Sequence, residues 1–100
     1  MISANITNET RRAVYRRDGY RCALCDSTQY LQVHHYVPRS HGGSDSPENL
    51  ICLCMRCHAL VHGTKLDDGD MTPEDVQQAC LEYLADLYAP GWTPDDARGR

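Results

Sequence analysis

The chain has 100 residues and a formal net charge of −4, and no stretch approaches the roughly 20 apolar residues of a transmembrane helix. Its length suits one domain with a modest core, and its first ten residues are polar, without the apolar segment of a secretory signal. These features exclude a membrane span and a secreted disulfide framework as first expectations. We therefore expect a cytoplasmic protein without membrane contact, in which paired cysteines indicate bound metal.

Basic residues concentrate in the first two thirds of the chain. Residues 1–62 carry seven arginines against five acidic residues, whereas residues 63–100 carry three basic residues against nine acidic ones. The positive part is where a phosphate ligand would bind. A helix is predicted over residues 8–18, capped by Thr7 or Asn8 and ended by Gly19. Candidate contacts to a nucleic-acid backbone on or near this helix are Arg12, Arg16 and Arg17, although the same arginines also fit a solvated helix face.

The middle of the chain predicts a strand, a loop, a second strand and a short helix. Residues 30–37 are rich in Val, Tyr and Leu and favour a strand that ends at Pro38. Turn-forming residues at 39–48 indicate a loop, and the apolar run 50–53 predicts the returning strand. A short helix is expected around residues 57–62.

The last predicted helix has the clearest boundaries. Thr72 suits the N-cap, Pro73 the first helical position, and Asp75 completes a capping box. Apolar residues then recur at steps of three and four, which gives the helix one apolar face. We expect a single domain over residues 1–100. Its predicted parts are a core at about 10–63, an acidic linker at 64–71, a C-terminal helix at 72–90 and a flexible tail at 91–100.

Four of the six cysteines form two C-x-x-C pairs, Cys22/Cys25 and Cys54/Cys57. Each pair bends the backbone so that two thiolates face one point, and two pairs together suit a tetrahedral Zn²⁺ site. Such a site has no open position, so the zinc is expected to be structural and to supply folding energy. Redox-active or merely buried cysteines are the alternative. Cys52 and Cys80 fall outside the pattern and are expected to be buried as small apolar side chains.

Four of the five histidines are placed suggestively. His58 and His62 are four residues apart on a predicted helix and so project from one face, the spacing of a metal clamp. His34 and His35 are adjacent on a strand, so their side chains point to opposite sides. One of this pair can therefore bind metal while the other faces a reacting water. Each histidine alone is equally consistent with a core or surface residue.

These residues together resemble the HNH endonuclease family. The similar pattern spans about residues 10–63 and comprises Cys22-x-x-Cys25, His34-His35, Pro38, Gly42-Gly43, Asn49-Leu50, Cys54-x-x-Cys57-His58 and His62. The His, Asn and His of the family name correspond to His35, Asn49 and His58. The resemblance implies a small α+β fold, the ββα-metal finger, in which a two-stranded hairpin and a helix hold one catalytic metal. Here a four-cysteine zinc site would staple it, with flanking N- and C-terminal helices.

The resemblance also implies a role for each residue. His35 would be the general base, and Asn49 would orient the hairpin loop that carries it. His34, at a position often occupied by Asp in relatives, would bind the catalytic metal together with His58. His62 would be a third ligand, as in the all-histidine bacteriocin nucleases of the family, although other members lack a histidine there. The implied activity is hydrolysis of DNA phosphodiester bonds with Mg²⁺, Mn²⁺, Ni²⁺ or Zn²⁺.

Arg39, which follows the base on the loop, is a candidate phosphate contact, but no segment resembles a base-reading element.

Two other interpretations of the same residues are open. The chain could instead be a non-catalytic zinc module that docks on nucleic acid or protein. It could also be a nuclease subunit that depends on a targeting protein partner, with the acidic last helix as the contact. A zinc module alone has no use for the four histidines and the asparagine.

Overall fold

The computed structural model describes residues 6–63, 72–88 and 91–92, and it has a small α+β fold. Three helices surround one two-stranded antiparallel hairpin, as the sequence predicts. The elements in chain order are α1 (Asn8–Arg17), β1 (Leu31–His35), β2 (Leu50–Cys54), α2 (Met55–Val61) and α3 (Pro73–Tyr88). The predicted linker at 64–71 and residues 93–100 of the predicted tail lie outside the described residues. In the described part of the chain, no helix is long and apolar enough to cross a membrane.

Helix α1 begins and ends close to the predicted positions. Thr7 is the N-cap, and its hydroxyl accepts a hydrogen bond from the backbone N–H of Thr10 at 3.1 Å. Asp18 follows the last helical residue, and Gly19 adopts a positive φ of 76°, which suits a helix end. The one fully buried side chain of the helix, Val14, packs against Leu50 and Cys52. Helix α1 therefore covers one face of the hairpin.

The hairpin pairs Leu31 with Cys54 at one end and His35 with Leu50 at the other. The prediction that β1 continues to Val37 is wrong. Beyond His35 one more backbone bond joins the two segments, from the N–H of Tyr36 to the carbonyl of Asn49. The N–H of Val37 then donates to the Asn49 side chain instead, so ladder pairing stops. The predicted loop between the strands contains two short 3₁₀ turns, Arg39–His41 and Pro47–Asn49.

Helix α2 starts at Met55, two residues earlier than predicted, because the Cys54 side chain acts as its N-cap. Helix α3 starts as predicted. The Thr72 hydroxyl accepts from the N–H of Asp75, and the Asp75 carboxylate accepts from the N–H of Thr72, both at 3.1 Å. Buried side chains of the two helices pack with the second face of the hairpin, in a cluster comprising Cys22, Ile51, Leu53, Cys54, Cys57, Leu60, Val76 and Cys80. The hairpin is thus enclosed between α1 on one face and α2 with α3 on the other.

A buried carboxylate ties the three layers together. Asp18 accepts from the N–H of Cys52 at 2.9 Å and from the hydroxyl of Tyr83 at 2.8 Å, and it also pairs with Arg17 at 2.7 Å. These partners lie on β2, α3 and α1, so one side chain joins all three elements. These partners offset the cost of burying the carboxylate, and removing one of them would leave a buried charge uncompensated.

Candidate metal centres and active site

The four cysteines of the two C-x-x-C pairs meet at one point. The sulfur atoms of Cys22, Cys25, Cys54 and Cys57 all lie within 4.8 Å of one another, and the Sγ atoms of Cys25 and Cys54 are 3.5 Å apart. None of the six cysteines forms a disulfide. Four thiols at these separations form a donor set that fits a tetrahedral ion such as Zn²⁺, whose bonds to sulfur are about 2.3 Å. Cys52 and Cys80 are fully buried outside this cluster, as predicted.

Three of the four clustered thiols differ in how their surroundings shift the pKa. Burial raises the pKa of the Cys25 and Cys57 thiols. Burial also acts to raise the pKa of Cys54, but hydrogen bonds, including one from the N–H of Cys57 to its Sγ, lower it overall. Since a metal binds the thiolate, a bound cation would supply the charge that ionises the other thiols. The cluster is therefore suited to a cation and poorly suited to four free thiols.

Three histidines form a second cluster at the junction of β1 and α2. One ring nitrogen each of His34, His58 and His62 lies within 4.8 Å of the others. The Nε2 atoms of His58 and His62 approach to 3.0 Å, and the ring centroids of His34 lie 5.1 and 5.6 Å from those of His58 and His62. Three converging imidazoles form a donor set suited to a divalent transition metal. His35 is not part of this group, as expected for the next residue on a strand.

His34 is the deepest of the three and the most perturbed. It is 6% exposed, and its Nε2 has no hydrogen-bond partner among the described residues. Burial, followed by repulsion from His58, lowers the pKa of His34 from 6.5 to about 4. Burial therefore keeps His34 neutral, the form of imidazole that binds a metal through one ring nitrogen. The pKa of His58 is lowered as well, by burial and then by His62.

His58 is held in place by a side chain that the sequence analysis did not single out. Nδ1 of His58 is hydrogen-bonded to Oε1 of Gln32, which lies on β1. An amide oxygen only accepts, so Nδ1 carries the proton and Nε2 is left to face His62. Metal-binding histidines commonly donate their second N–H to such an acceptor, which fixes the ring. The general spacing rule for strands places Gln32 and His34 on one face, but no motif distinguished Gln32 beforehand.

His35 faces away from the histidine cluster and contacts an aspartate. Its Nε2 lies 2.8 Å from the carboxylate of Asp45, which also accepts from Arg39 at 3.0 and 2.7 Å. Burial alone would raise the pKa of Asp45, but the hydrogen bonds from His35 and Arg39 lower it overall. The ionised carboxylate holds Nε2 of His35 as the donor and leaves Nδ1 as the acceptor. Asp45 was not identified from the sequence because it stands in a loop of ordinary turn-forming residues.

Asn49 holds the loop that follows β1. It is fully buried; its Oδ1 accepts from the N–H of Val37 at 2.7 Å, and its Nδ2 donates to the carbonyls of Val37 and Ser44 at 2.9 and 2.8 Å. Gly43 makes this approach possible, because a Cβ atom there would stand 1.7 Å from the Val37 carbonyl oxygen. Asn49 thus ties the end of β1 to the segment before Asp45.

An open groove of about 310 Å³ joins these parts. It is lined by Val33, His34, His35, Pro38, Arg39, His58 and His62. The groove therefore contains the three clustered histidines and His35, although His34 and His35 leave opposite faces of the strand. This is possible because, within the described residues, β1 pairs with β2 alone, so both side chains can border the space along its other edge.

The candidate DNA-contacting arginines have different environments. Arg12 and Arg16 are exposed on α1, one helical turn apart. Arg39 is partly exposed at the groove, in its ion pair with Asp45. The structure argues against the prediction for Arg17: its five hydrogen bonds go to Asp18 twice, the Tyr88 hydroxyl and the carbonyls of Pro47 and Leu50. A guanidinium has five N–H donors, so Arg17 is committed to joining α1, β2 and α3.

The chain belongs to the HNH endonuclease family, whose model matches residues 22–64. This match contains both C-x-x-C pairs, the histidine cluster, His35 and Asn49. The type IV methyl-directed restriction enzyme EcoKMcrA of Escherichia coli K12 is 45% identical over 42 residues, which are 42% of this chain and 15% of that protein. Probable mobile endonuclease E of Enterobacteria phage T4 is 46% identical over 35 residues, or 35% of this chain and 25% of the phage protein.

A third relative has a different kind of name. Anaredoxin of Nostoc sp. is 30% identical over 59 residues, which cover 58% of this chain and 78% of that protein. The chain thus spans most of anaredoxin but only a small part of the two relatives named as endonucleases. The family supports a nuclease, while helix α3 lies beyond the residues that the family model matches.

Proposed function

We propose that this protein is a metal-dependent endonuclease that hydrolyses phosphodiester bonds of DNA in the groove along the edge of β1. The observation that supports it best is the composition of that groove, in which His35 stands beside the cluster of His34, His58 and His62. A structural zinc ion at the four cysteines would tie the segment between α1 and β1 to the end of β2 and the start of α2. The thiolates that such a site needs are maintained in a reducing compartment such as the cytoplasm.

His35 would take the proton of the attacking water. Asp45 accepts from Nε2 and so leaves Nδ1 as the basic nitrogen, and it also stabilises the imidazolium formed when the proton arrives. His35 and the clustered histidines border the groove from different sides of the strand, which suits attack on phosphorus from the side opposite the leaving oxygen.

His34, His58 and His62 would hold the catalytic divalent cation. When bound, that cation neutralises charge developing on the phosphate and stabilises the leaving oxygen. The all-nitrogen donor set favours Ni²⁺ or Zn²⁺, and the more oxygen-preferring Mn²⁺ and Mg²⁺ are further candidates. Three protein ligands leave coordination positions for phosphate oxygens and water.

Arg12 and Arg16 are proposed to contact the DNA backbone beside the cut, and Arg39 a phosphate within the groove. These contacts carry no base sequence information, so the described part of the chain is expected to discriminate little between sequences. The acidic residues of α3 face solvent at Glu74, Glu82 and Asp86 and could accept a targeting protein. Such a partner would restrict cleavage to selected DNA.

The experiment is cleavage of supercoiled plasmid by zinc-loaded protein with Mg²⁺, Mn²⁺ or Ni²⁺, and with a chelator control. The variants are His35→Ala and, as a matched control, His41→Ala. His41 is an exposed histidine in the loop that follows β1. We expect wild type and His41→Ala to nick the plasmid, and His35→Ala to lose at least about 100-fold in rate, the usual contribution of a general base. If folded, zinc-loaded wild type cuts no DNA with any metal, the proposal of a self-sufficient nuclease fails and a partner-dependent or non-catalytic module replaces it.

A further inference from the structure

The C-terminal helix brings a glutamine to the wall of the histidine cluster. Gln77 of α3 lines a cleft together with His34 and His62, next to the groove that contains His35. The helix is held in place at this point, because the neighbouring Val76 and Cys80 are fully buried in the core. The glutamine is therefore carried by an element that is firmly packed against the hairpin.

The orientation of the Gln77 amide is determined by its partner. Its Nε2 donates to the backbone carbonyl of Tyr36 at 2.5 Å. A carbonyl oxygen can only accept, so the NH₂ group of the amide has to point to Tyr36 and Oε1 has to point away from it. That Oε1 is buried and has no hydrogen-bond partner among the described residues.

A group that can satisfy this oxygen is the imidazole of His34, which lines the same cleft. Nε2 of His34 is the other buried polar side-chain atom of the described chain that has no partner. Both side chains border the same cleft. Two buried groups of matching chemistry thus lie side by side.

We propose that Gln77 is a positioning residue for the catalytic metal: its Oε1 accepts the N–H of His34 that metal binding leaves over, and so fixes the ring. This inference rests on the proposed metal site and adds to it a residue outside the part of the chain that matches the family. Gln32 already does the same for His58 through its own Oε1. The two deeper ligands of the cluster would then each be oriented by one glutamine, Gln32 from β1 and Gln77 from α3.

A metal-binding measurement that needs no DNA tests this inference. Protein with zinc at the four cysteines is titrated with Co²⁺, and the affinity of the nitrogen site is followed by calorimetry and by the visible cobalt spectrum. Absence of thiolate-to-cobalt charge-transfer bands shows that the cysteine site has kept its zinc. The variants are Gln77→Met, which keeps length without polar atoms, Gln77→Glu, which keeps an acceptor, and Gln78→Met, the same change on the exposed side of α3.

We expect Gln77→Met to weaken Co²⁺ binding by about 10- to 100-fold, as for other residues that orient metal-bound histidines. Gln77→Glu should retain most of the affinity, and Gln78→Met should bind as wild type does. A thermal melt of the protein without Co²⁺ separates this from a packing role, in which Gln77→Met would lower the melting temperature and leave the affinity unchanged.

Three results would overturn the inference. Equal Co²⁺ affinity for wild type and Gln77→Met would remove Gln77 from the site while leaving the nuclease proposal intact. An equal loss in Gln77→Met and Gln77→Glu would show that an acceptor is not what matters. If wild type itself binds no Co²⁺ beside the zinc, both this inference and the proposed catalytic metal site fail, whereas failure of plasmid cleavage alone would leave the affinity comparison valid.

Discussion

Replacing Asn49 by alanine should destabilise the protein by an amount that follows from its contacts. The side chain makes three hydrogen bonds, to the N–H and carbonyl of Val37 and to the carbonyl of Ser44. A buried hydrogen bond contributes a net ~1 kcal/mol, and a buried donor left unsatisfied costs more. Asn49 is 0% exposed, so water cannot replace the lost partners without opening the loop. We therefore expect Asn49→Ala to lower the free energy of unfolding by about 3 kcal/mol or more.

Urea unfolding followed by circular dichroism measures this loss, at one fixed zinc concentration because bound metal stabilises the folded state by mass action. Asn8→Ala is the matched control, since Asn8 is exposed in the first turn of α1 and Thr7 provides the cap. That control should change the free energy of unfolding by no more than about 0.5 kcal/mol. A loss below about 1 kcal/mol in Asn49→Ala would refute the reasoning, because it would mean that the three contacts contribute nothing net.

Three further predictions concern the loop, the histidine cluster and the arginines. Gly43→Ala places a Cβ 1.7 Å from the Val37 carbonyl oxygen and should abolish cleavage and lower the melting temperature strongly. In Gly42→Ala the new Cβ meets open space, so this control should cost only about 1 kcal/mol of stability for its left-handed backbone. Equal melting temperatures for the two variants would contradict this prediction. The pKa of His34 is about 4 in the folded protein and 6.5 in the unfolded chain, so the unfolded chain binds more protons between pH 4 and pH 6.5. Without added catalytic metal, the free energy of unfolding should therefore fall as the pH is lowered from 6.5 towards 4. Urea titrations at several pH values give the free energy of unfolding as a function of pH, and its dependence on pH should be weaker in His34→Asn than in wild type. An unchanged pH dependence would assign the protons to another group. Arg16→Ala should weaken DNA binding and reduce its salt dependence by about one counterion, without changing the melting temperature. Arg17→Ala should instead lower the melting temperature. The reverse pattern would exchange the roles of the two arginines.

Residues that act through local chemistry were predictable from the sequence. The capping box of Thr72 and Asp75 needs only its own four residues, and it is present as expected. The two C-x-x-C pairs fix their own geometry, and a backbone hydrogen bond from the N–H of Ala23 to the carbonyl of Cys52 brings the first pair to the second. His58 and His62 share one helix turn, which the spacing alone determines.

Residues whose role depends on the tertiary fold were not predictable in this way. Arg17 has the same local signal as Arg16, and only the packing of α1 against β2 and α3 commits its guanidinium to internal carbonyls. Asp45 and His35 are ten residues apart, and their contact depends on the loop that Asn49 folds back. Gln77 reaches Tyr36 across 41 residues of sequence, which no spacing rule connects.

The central claim is that His35 and the His34–His58–His62 cluster play separate parts in one groove. The most direct test compares Co²⁺ affinity and plasmid cleavage in the same preparations of wild type, His35→Ala and His58→Ala, all with zinc at the cysteines. The account predicts that His35→Ala binds Co²⁺ as tightly as wild type and fails to cut, whereas His58→Ala loses both. Cleavage by His35→Ala at the wild-type rate, or undiminished Co²⁺ affinity in His58→Ala, would contradict it.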